Sequence, residues 1–106
     1  MDKKAIIDIV NRFNLLLQAQ DIKLHKVILF GSCASGTNKE GSDIDLIVIS
    51  DDFSGKDYWE RIDILTEAIY QIFEPIEAVA MTPEEWERGD SFIVDYAKNG
   101  EILYAA

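Results

Sequence analysis

The chain has 106 residues, which is enough for one folded domain with a modest core and too few for two. No apolar run approaches the roughly 20 residues that cross a bilayer, and the N-terminal segment lacks the features of a signal peptide. The formal net charge of −10 disfavours nucleic acid as a partner, because phosphate backbones would be repelled. We therefore expect one domain over residues 1–106, located in the cytoplasm and without membrane contact. The negative charge suits divalent cations or a basic partner protein, but solubility alone explains most of it.

The apolar pattern predicts helices and strands in alternation along the chain. The predicted elements are a helix over 2–20, a strand over 26–30, a small-residue segment over 31–37, a polar turn over 38–42, a strand over 43–50, a loop over 51–57, a helix over 58–73, a strand over 75–81, helices over 82–89 and 90–100, and a strand or extended tail over 101–105. In the helix over 58–73 the apolar side is expected to carry Ile62, Leu65, Ile69 and Phe73.

This order predicts an α/β fold in which a small mixed β-sheet is flanked by helices. The strands at 43–50 and 75–81 are joined by a helix, so we expect them to be parallel neighbours with a right-handed crossover. Only about a dozen residues join the strands at 26–30 and 43–50, which favours an antiparallel pair.

Two aspartates, Asp43 and Asp45, open the strongest predicted strand. Residues two apart in a strand project to the same face, so their carboxylates would lie side by side. Such a pair is costly unless a cation offsets the repulsion, and carboxylate oxygens suit Mg²⁺ or Mn²⁺. The alternative is ordinary turn chemistry, with Asp43 capping the turn and Asp45 solvated at the strand edge.

Two further features favour a site over a turn. Glu77 lies near the start of its predicted strand, so a parallel neighbour would bring it beside both aspartates. Gly31 and Ser32 follow the first strand, where a close backbone approach and a hydroxyl can hold a phosphate oxygen. Three acids beside a phosphate cradle are what phosphoryl or nucleotidyl transfer requires.

The stretch "LFGSCASGTNKEGSDIDLIVI" (29–49), followed by the acid in "PIEAVAM", resembles the minimal (MNT-type) nucleotidyltransferases of the DNA polymerase β-like superfamily. The resemblance implies a polymerase β-like fold and an enzyme that transfers a nucleoside monophosphate, with AMP from ATP as the expected case. It assigns Gly31, Ser32 and Ser42 to the nucleoside triphosphate. It assigns the metal and catalytic roles, with two Mg²⁺ ions expected and Mn²⁺ as a substitute, to Asp43, Asp45 and Glu77.

Minimal members of this family commonly pair with a small helical HEPN-type toxin, so the resemblance implies an antitoxin that modifies a hydroxyl of its partner. A partner or a second copy in a homo-oligomer would have to supply the acceptor site. Two positions that often hold arginine are Cys33 and Ser35 here, and Glu77 stands where many relatives have Asp. The missing arginines leave an alternative open, a non-catalytic subunit that neutralises its partner by contact.

Overall fold

A computed structural model describes residues 2–37 and 41–106. Its helices are α1 (Lys3–Gln18), α2 (Ser32–Ser35), α3 (Tyr58–Ile69), α4 (Pro83–Arg88) and α5 (Phe92–Ala97), and its strands are β1 (Lys26–Phe30), β2 (Ile44–Ile49), β3 (Ile76–Met81) and β4 (Glu101–Ala105). A short 3₁₀ turn spans Asp51–Phe53. None of the described helices is both long and apolar enough to cross a membrane.

The four strands form one mixed sheet in the order β3-β2-β1-β4. β1 pairs antiparallel with β2 and with β4, and β2 pairs parallel with β3. The predictions of an antiparallel first pair and a parallel second pair are therefore confirmed, as is the α/β class with a small mixed sheet. Residues 101–105, predicted to be a strand or an extended tail, form a strand, because β4 pairs with β1 at the edge of the sheet.

Helices cover the two faces of the sheet unequally. One face carries the larger core, in which α1 and α3 pack Phe13, Leu17 and Leu65 against Leu46 and neighbouring strand residues. The other face carries a smaller core that includes Ile47 and Ile49 of β2 and Val94 and Ala97 of α5. Side chains alternate between faces along a strand, so Asp45 shares the α5 face with Ile47 and Ile49.

Local capping explains where several helices begin. Asp57 and Glu60 close a capping box at the start of α3, and Thr82 and Glu85 close another at the start of α4. Pro83 takes the first helical position of α4, where its missing N–H leaves no helical hydrogen bond unmade.

The prediction for the end of the helix over 58–73 is wrong. α3 stops at Ile69, and Phe73 adopts a positive φ of 60° and is 90% exposed instead of joining the apolar side. The chain must turn there to enter β3 through Pro75, which cannot continue a helix. The polar turn predicted over 38–42 lies partly outside the described residues.

Candidate active site

The backbone turns sharply where β1 ends. Gly31 has φ 72° and ψ −155°, a conformation open in practice only to glycine, and α2 begins at the next residue, Ser32. A Cβ atom added to Gly31 would lie 2.3 Å from Oδ2 of Asp45. The glycine therefore lets the backbone that leads into α2 pass directly against the Asp45 carboxylate.

The strand register places Asp45 beside two of the elements that the sequence singled out. Asp45 of β2 is opposite Phe30 of β1, the residue before Gly31, and opposite Glu77 of β3. Directly opposite residues project to the same face, so the Asp45 and Glu77 side chains meet on the α5 face of the sheet. The prediction that Glu77 lies beside Asp45 is confirmed as a matter of position.

The electrostatics of Asp45 reflect this crowding. Burial is the largest cause that raises the pKa of the Asp45 carboxyl, followed by the negative charges of Glu77 and Asp43 and a hydrogen bond with the Glu77 side chain. Such a hydrogen bond between two carboxyl groups requires a shared proton. Each of these causes favours the protonated form of Asp45 while no cation is bound.

Asp43 and Ser42 lie in the segment that leads into β2, where Asp43 is exposed and Ser42 half-buried. The Asp43 backbone carbonyl accepts a hydrogen bond from Sγ of Cys33, which joins this segment to α2. Burial, and then the charges of Asp45 and Asp43, raise the pKa of the Cys33 thiol, so both aspartates lie close to α2. The predicted site residues therefore gather at one edge of the sheet.

Two cavities open at this edge. The first, which we call the α2 pocket, has a volume of about 420 Å³ and lies between α2, with Gly31 and Ser32, and the α5–β4 turn, with Asn99. The second, which we call the carboxylate cleft, has a volume of about 560 Å³. Asp45 and Glu77 lie in it among apolar and aromatic side chains that include Tyr58, Ile62, Phe92 and Tyr96.

The donor set can be tested for its fit to Mg²⁺. Among residues 2–37 and 41–106, no three acid, His or Cys side chains lie close enough to form a ready-made cage for an ion. Mg²⁺ is usually held by one or two carboxylates and completes its shell with substrate phosphates and water. Asp45 and Glu77 are close together, and Asp43 is nearby. None of these three acids has an ion pair among the described residues, so they fit the binding of Mg²⁺ by one or two carboxylates together with phosphate and water.

Comparison with known proteins identifies the family. Residues 7–102 match the model of the nucleotidyltransferase domain. The chain belongs to the nucleotidyltransferase domain family. As a nucleotidyltransferase, it is an enzyme whose reaction is transfer of a nucleotidyl group. The resemblance drawn from the sequence motif is thereby confirmed.

Relatives of this nucleotidyltransferase agree with the assignment. A protein of Methanocaldococcus jannaschii, provisionally named a protein adenylyltransferase, is 32% identical over 105 residues, covering 97% of this chain and 98% of the relative. A crystal structure of a toxin–antitoxin with AMP-PNP matches with a TM-score of 0.63 at 23% identity, over 91% of this chain and 73% of the other. A structure of a provisionally assigned Sulfolobus solfataricus nucleotidyltransferase matches with a TM-score of 0.61 at 19% identity, over 99% and 90%. The structural matches confirm the fold.

Sequence reasoning missed the aromatic lining of the site. Tyr58, Phe92 and Tyr96 are 67%, 83% and 61% exposed and border the carboxylate cleft. One signal was available, because α5 carries Phe92 and Tyr96 outside its buried positions Val94 and Ala97. Phe92 and Tyr96 lie near the carboxylates because α5 packs on β1, a tertiary contact that the apolar pattern of the sequence does not predict.

Proposed function

We propose that this nucleotidyltransferase transfers AMP from ATP to a hydroxyl group of a partner protein in a Mg²⁺-dependent reaction. The observation that carries the proposal is the register that places Asp45 beside Glu77, with the Gly31–Ser32 turn against Asp45. The Gly31–Ser32 turn, the two carboxylates and the cleft thus lie at one edge of the sheet. A relative with 32% identity is named for adenylyl transfer to protein, which supports AMP as the group transferred.

In this proposal Gly31, Ser32 and Ser42 contact the triphosphate. Gly31 and Ser32 line the α2 pocket, where the Ser32 hydroxyl and the backbone of the turn would meet the phosphate oxygens. Ser42 lies in the segment between α2 and the carboxylates. The pyrophosphate leaving group would remain on the α2 side when the bond to the α-phosphorus breaks.

The carboxylates Asp43, Asp45 and Glu77 would hold two Mg²⁺ ions, or Mn²⁺ in their place. When bound, these ions neutralise charge on the phosphate oxygens and on the attacking and leaving groups. Glu77, the most exposed position of β3, also stands where it could take the proton of the attacking hydroxyl. The new bond forms between that hydroxyl oxygen and the α-phosphorus, and pyrophosphate leaves.

The carboxylate cleft supports a protein as the acceptor. Among the described residues, its lining apart from Asp45 and Glu77 is apolar or aromatic, which suits a protein side chain better than a polyanionic nucleic acid. The net charge of −10 suits a basic partner. We propose a small HEPN-type helical protein as that partner and an antitoxin role for this chain, which the toxin–antitoxin structure among its fold relatives supports. A homo-oligomer that supplies the acceptor is the remaining arrangement.

One observation favours a second candidate, a non-catalytic subunit that neutralises its partner by contact. No lysine or arginine is among the described residues that line the α2 pocket. Cys33 is buried and bonded to the Asp43 carbonyl, and the Ser35 hydroxyl is bonded to Ser32 and Thr37, so neither position supplies a cation to a triphosphate.

Thermal unfolding with ATP and Mg²⁺ separates the two functions. We expect saturating ATP and Mg²⁺ to raise the melting temperature of the wild type, since a ligand that binds only the native state stabilises it. Asp43→Asn should lose this shift, whereas Asp63→Asn, an exposed substitution on α3, should keep it. Pyrophosphate release should likewise be lost in Asp43→Asn and kept in the wild type and Asp63→Asn. Absence of a shift in the wild type, or an equal shift in Asp43→Asn, would contradict the enzymatic proposal.

A further inference from the structure

The α2 pocket and the carboxylate cleft meet at two aromatic residues. Within the described part of the chain, Phe30 and Tyr96 are the residues that line both cavities. Phe30 is 6% exposed and belongs to the core, whereas Tyr96 is 61% exposed. Tyr96 is therefore the side chain that a molecule spanning the two cavities would contact most.

The Tyr96 ring packs against Phe30 although it is mostly exposed. Its centroid lies 5.7 Å from that of Phe30, with the ring planes at 83°, which is a favourable edge-to-face geometry. On α5 it is flanked by Val94 and Ala97, both buried against the sheet. Phe30 is opposite Asp45 in the strand register, so the Tyr96 ring lies near the end of β2 that carries Asp45.

From this geometry we propose that Tyr96 contacts the nucleoside of the donor nucleotide and orients it, an inference that rests on the proposed function. The β- and γ-phosphates belong on the Gly31 and Ser32 side, in the α2 pocket, and the α-phosphorus belongs beside Asp45 and Glu77. The α-phosphate therefore lies where the cavities meet. The nucleoside, which is bonded to that phosphate, is held within reach of the ring at the junction.

The test compares ATP with inorganic tripolyphosphate, which has the same row of three phosphates but no nucleoside. Titration calorimetry measures the affinity for ATP and for inorganic tripolyphosphate, each in the presence of Mg²⁺. The proteins compared are the wild type, Tyr96→Ala and Tyr96→Phe. Contact with an aromatic ring is worth about 1–3 kcal/mol per base, which corresponds to roughly 5- to 160-fold in affinity. We expect Tyr96→Ala to bind ATP with an affinity lower by that factor and to bind tripolyphosphate as tightly as the wild type does. Tyr96→Phe should bind ATP nearly as tightly as the wild type.

Tyr70→Ala is the matched control, because Tyr70 is 76% exposed and follows α3 outside both cavities. It should bind both ligands as the wild type does. Equal binding of ATP by Tyr96→Ala and wild type would overturn the inference. So would an equal loss of both ligands, since that would mean that Tyr96 supports the phosphate cradle. A wild type that binds neither ligand would overturn the proposed function, and this inference with it.

Discussion

Replacing Gly31 by alanine tests the contact on which the site geometry depends. An alanine held at φ 72° and ψ −155° costs about 1–3 kcal/mol of backbone strain. Its Cβ would also lie 2.3 Å from Oδ2 of Asp45, whereas ordinary contacts begin near 3.4 Å, so the carboxylate must move. Forcing a side chain off its rotamer costs about 0.5–1.5 kcal/mol. We expect Gly31→Ala to lower the free energy of unfolding by about 2–4 kcal/mol.

Gly36→Ala provides the matched control from the same segment. Gly36 has φ 79° and ψ 10°, and an added Cβ would meet nothing within 4 Å, so only the left-handed backbone is penalised, by about 1–2 kcal/mol. Urea unfolding followed by circular dichroism measures both variants. A double-mutant cycle with Asp45→Ala isolates the clash, because removing the carboxylate should relieve the Gly31→Ala variant but not the Gly36→Ala variant.

Two results would refute this account of the turn. The first is a Gly31→Ala variant no less stable than Gly36→Ala. The second is a coupling free energy near zero between Gly31→Ala and Asp45→Ala. Either result would mean that the backbone of the turn and the Asp45 carboxylate are not in close contact in solution.

Two further predictions concern charge. Asp45→Asn should raise the melting temperature of the metal-free protein at neutral pH by a few degrees. Burial and the Glu77 and Asp43 charges raise the pKa of the Asp45 carboxyl, so its ionised form lowers the stability of the folded state, and asparagine removes that charge. Calorimetric melting measures the effect, and an unchanged or lower melting temperature contradicts it. Burial alone would raise the pKa of the Glu85 carboxyl, but the Thr82 N–H and the Arg61 guanidinium outweigh it and lower that pKa. The stability that this carboxylate adds is thus present above a pH of about 4.5 and lost as the pH falls through the lowered pKa. Glu85→Gln should therefore cost about 1 kcal/mol at pH 7 after solvent screening and little at acid pH, and a pH-independent difference in urea unfolding would contradict this.

The main parts of the site could be predicted because they rest on local patterns. A strand, a helix of sufficient length and another strand imply a parallel pair, and that alone brings Glu77 to the end of the sheet that carries Asp45. The register itself could not be predicted, since a slip of one residue would have turned Glu77 to the opposite face. It follows from the alignment of Ile44 with Ile76, whose side chains enter the larger core.

Tertiary packing decides what the sequence left open. Gly100 lies so close to β1 that an added Cβ would meet the Leu29 carbonyl oxygen at 2.4 Å, and this close approach accompanies the pairing of β4 with β1. No pattern within "EILYA" specifies that partner. The same packing brings the α5–β4 turn, with Asn99, to the wall of the α2 pocket. The α2 pocket thus depends on contacts between two segments, α2 and the α5–β4 turn, that lie far apart in the sequence.

Cys33 and Ser35, where the family resemblance leads us to expect arginine, have different surroundings in the fold. Cys33 is 6% exposed and lies in the larger core, so in this chain its position serves packing and the link to Asp43. Ser35 is exposed, and its hydroxyl is already bonded to the Ser32 carbonyl and to Thr37. The described lining of the α2 pocket therefore contains small and polar side chains and the acid Glu101, and no lysine or arginine. If this pocket holds ATP, the charge of the nucleotide must be neutralised mainly by bound Mg²⁺ or by a basic partner, because the described pocket residues do not do it.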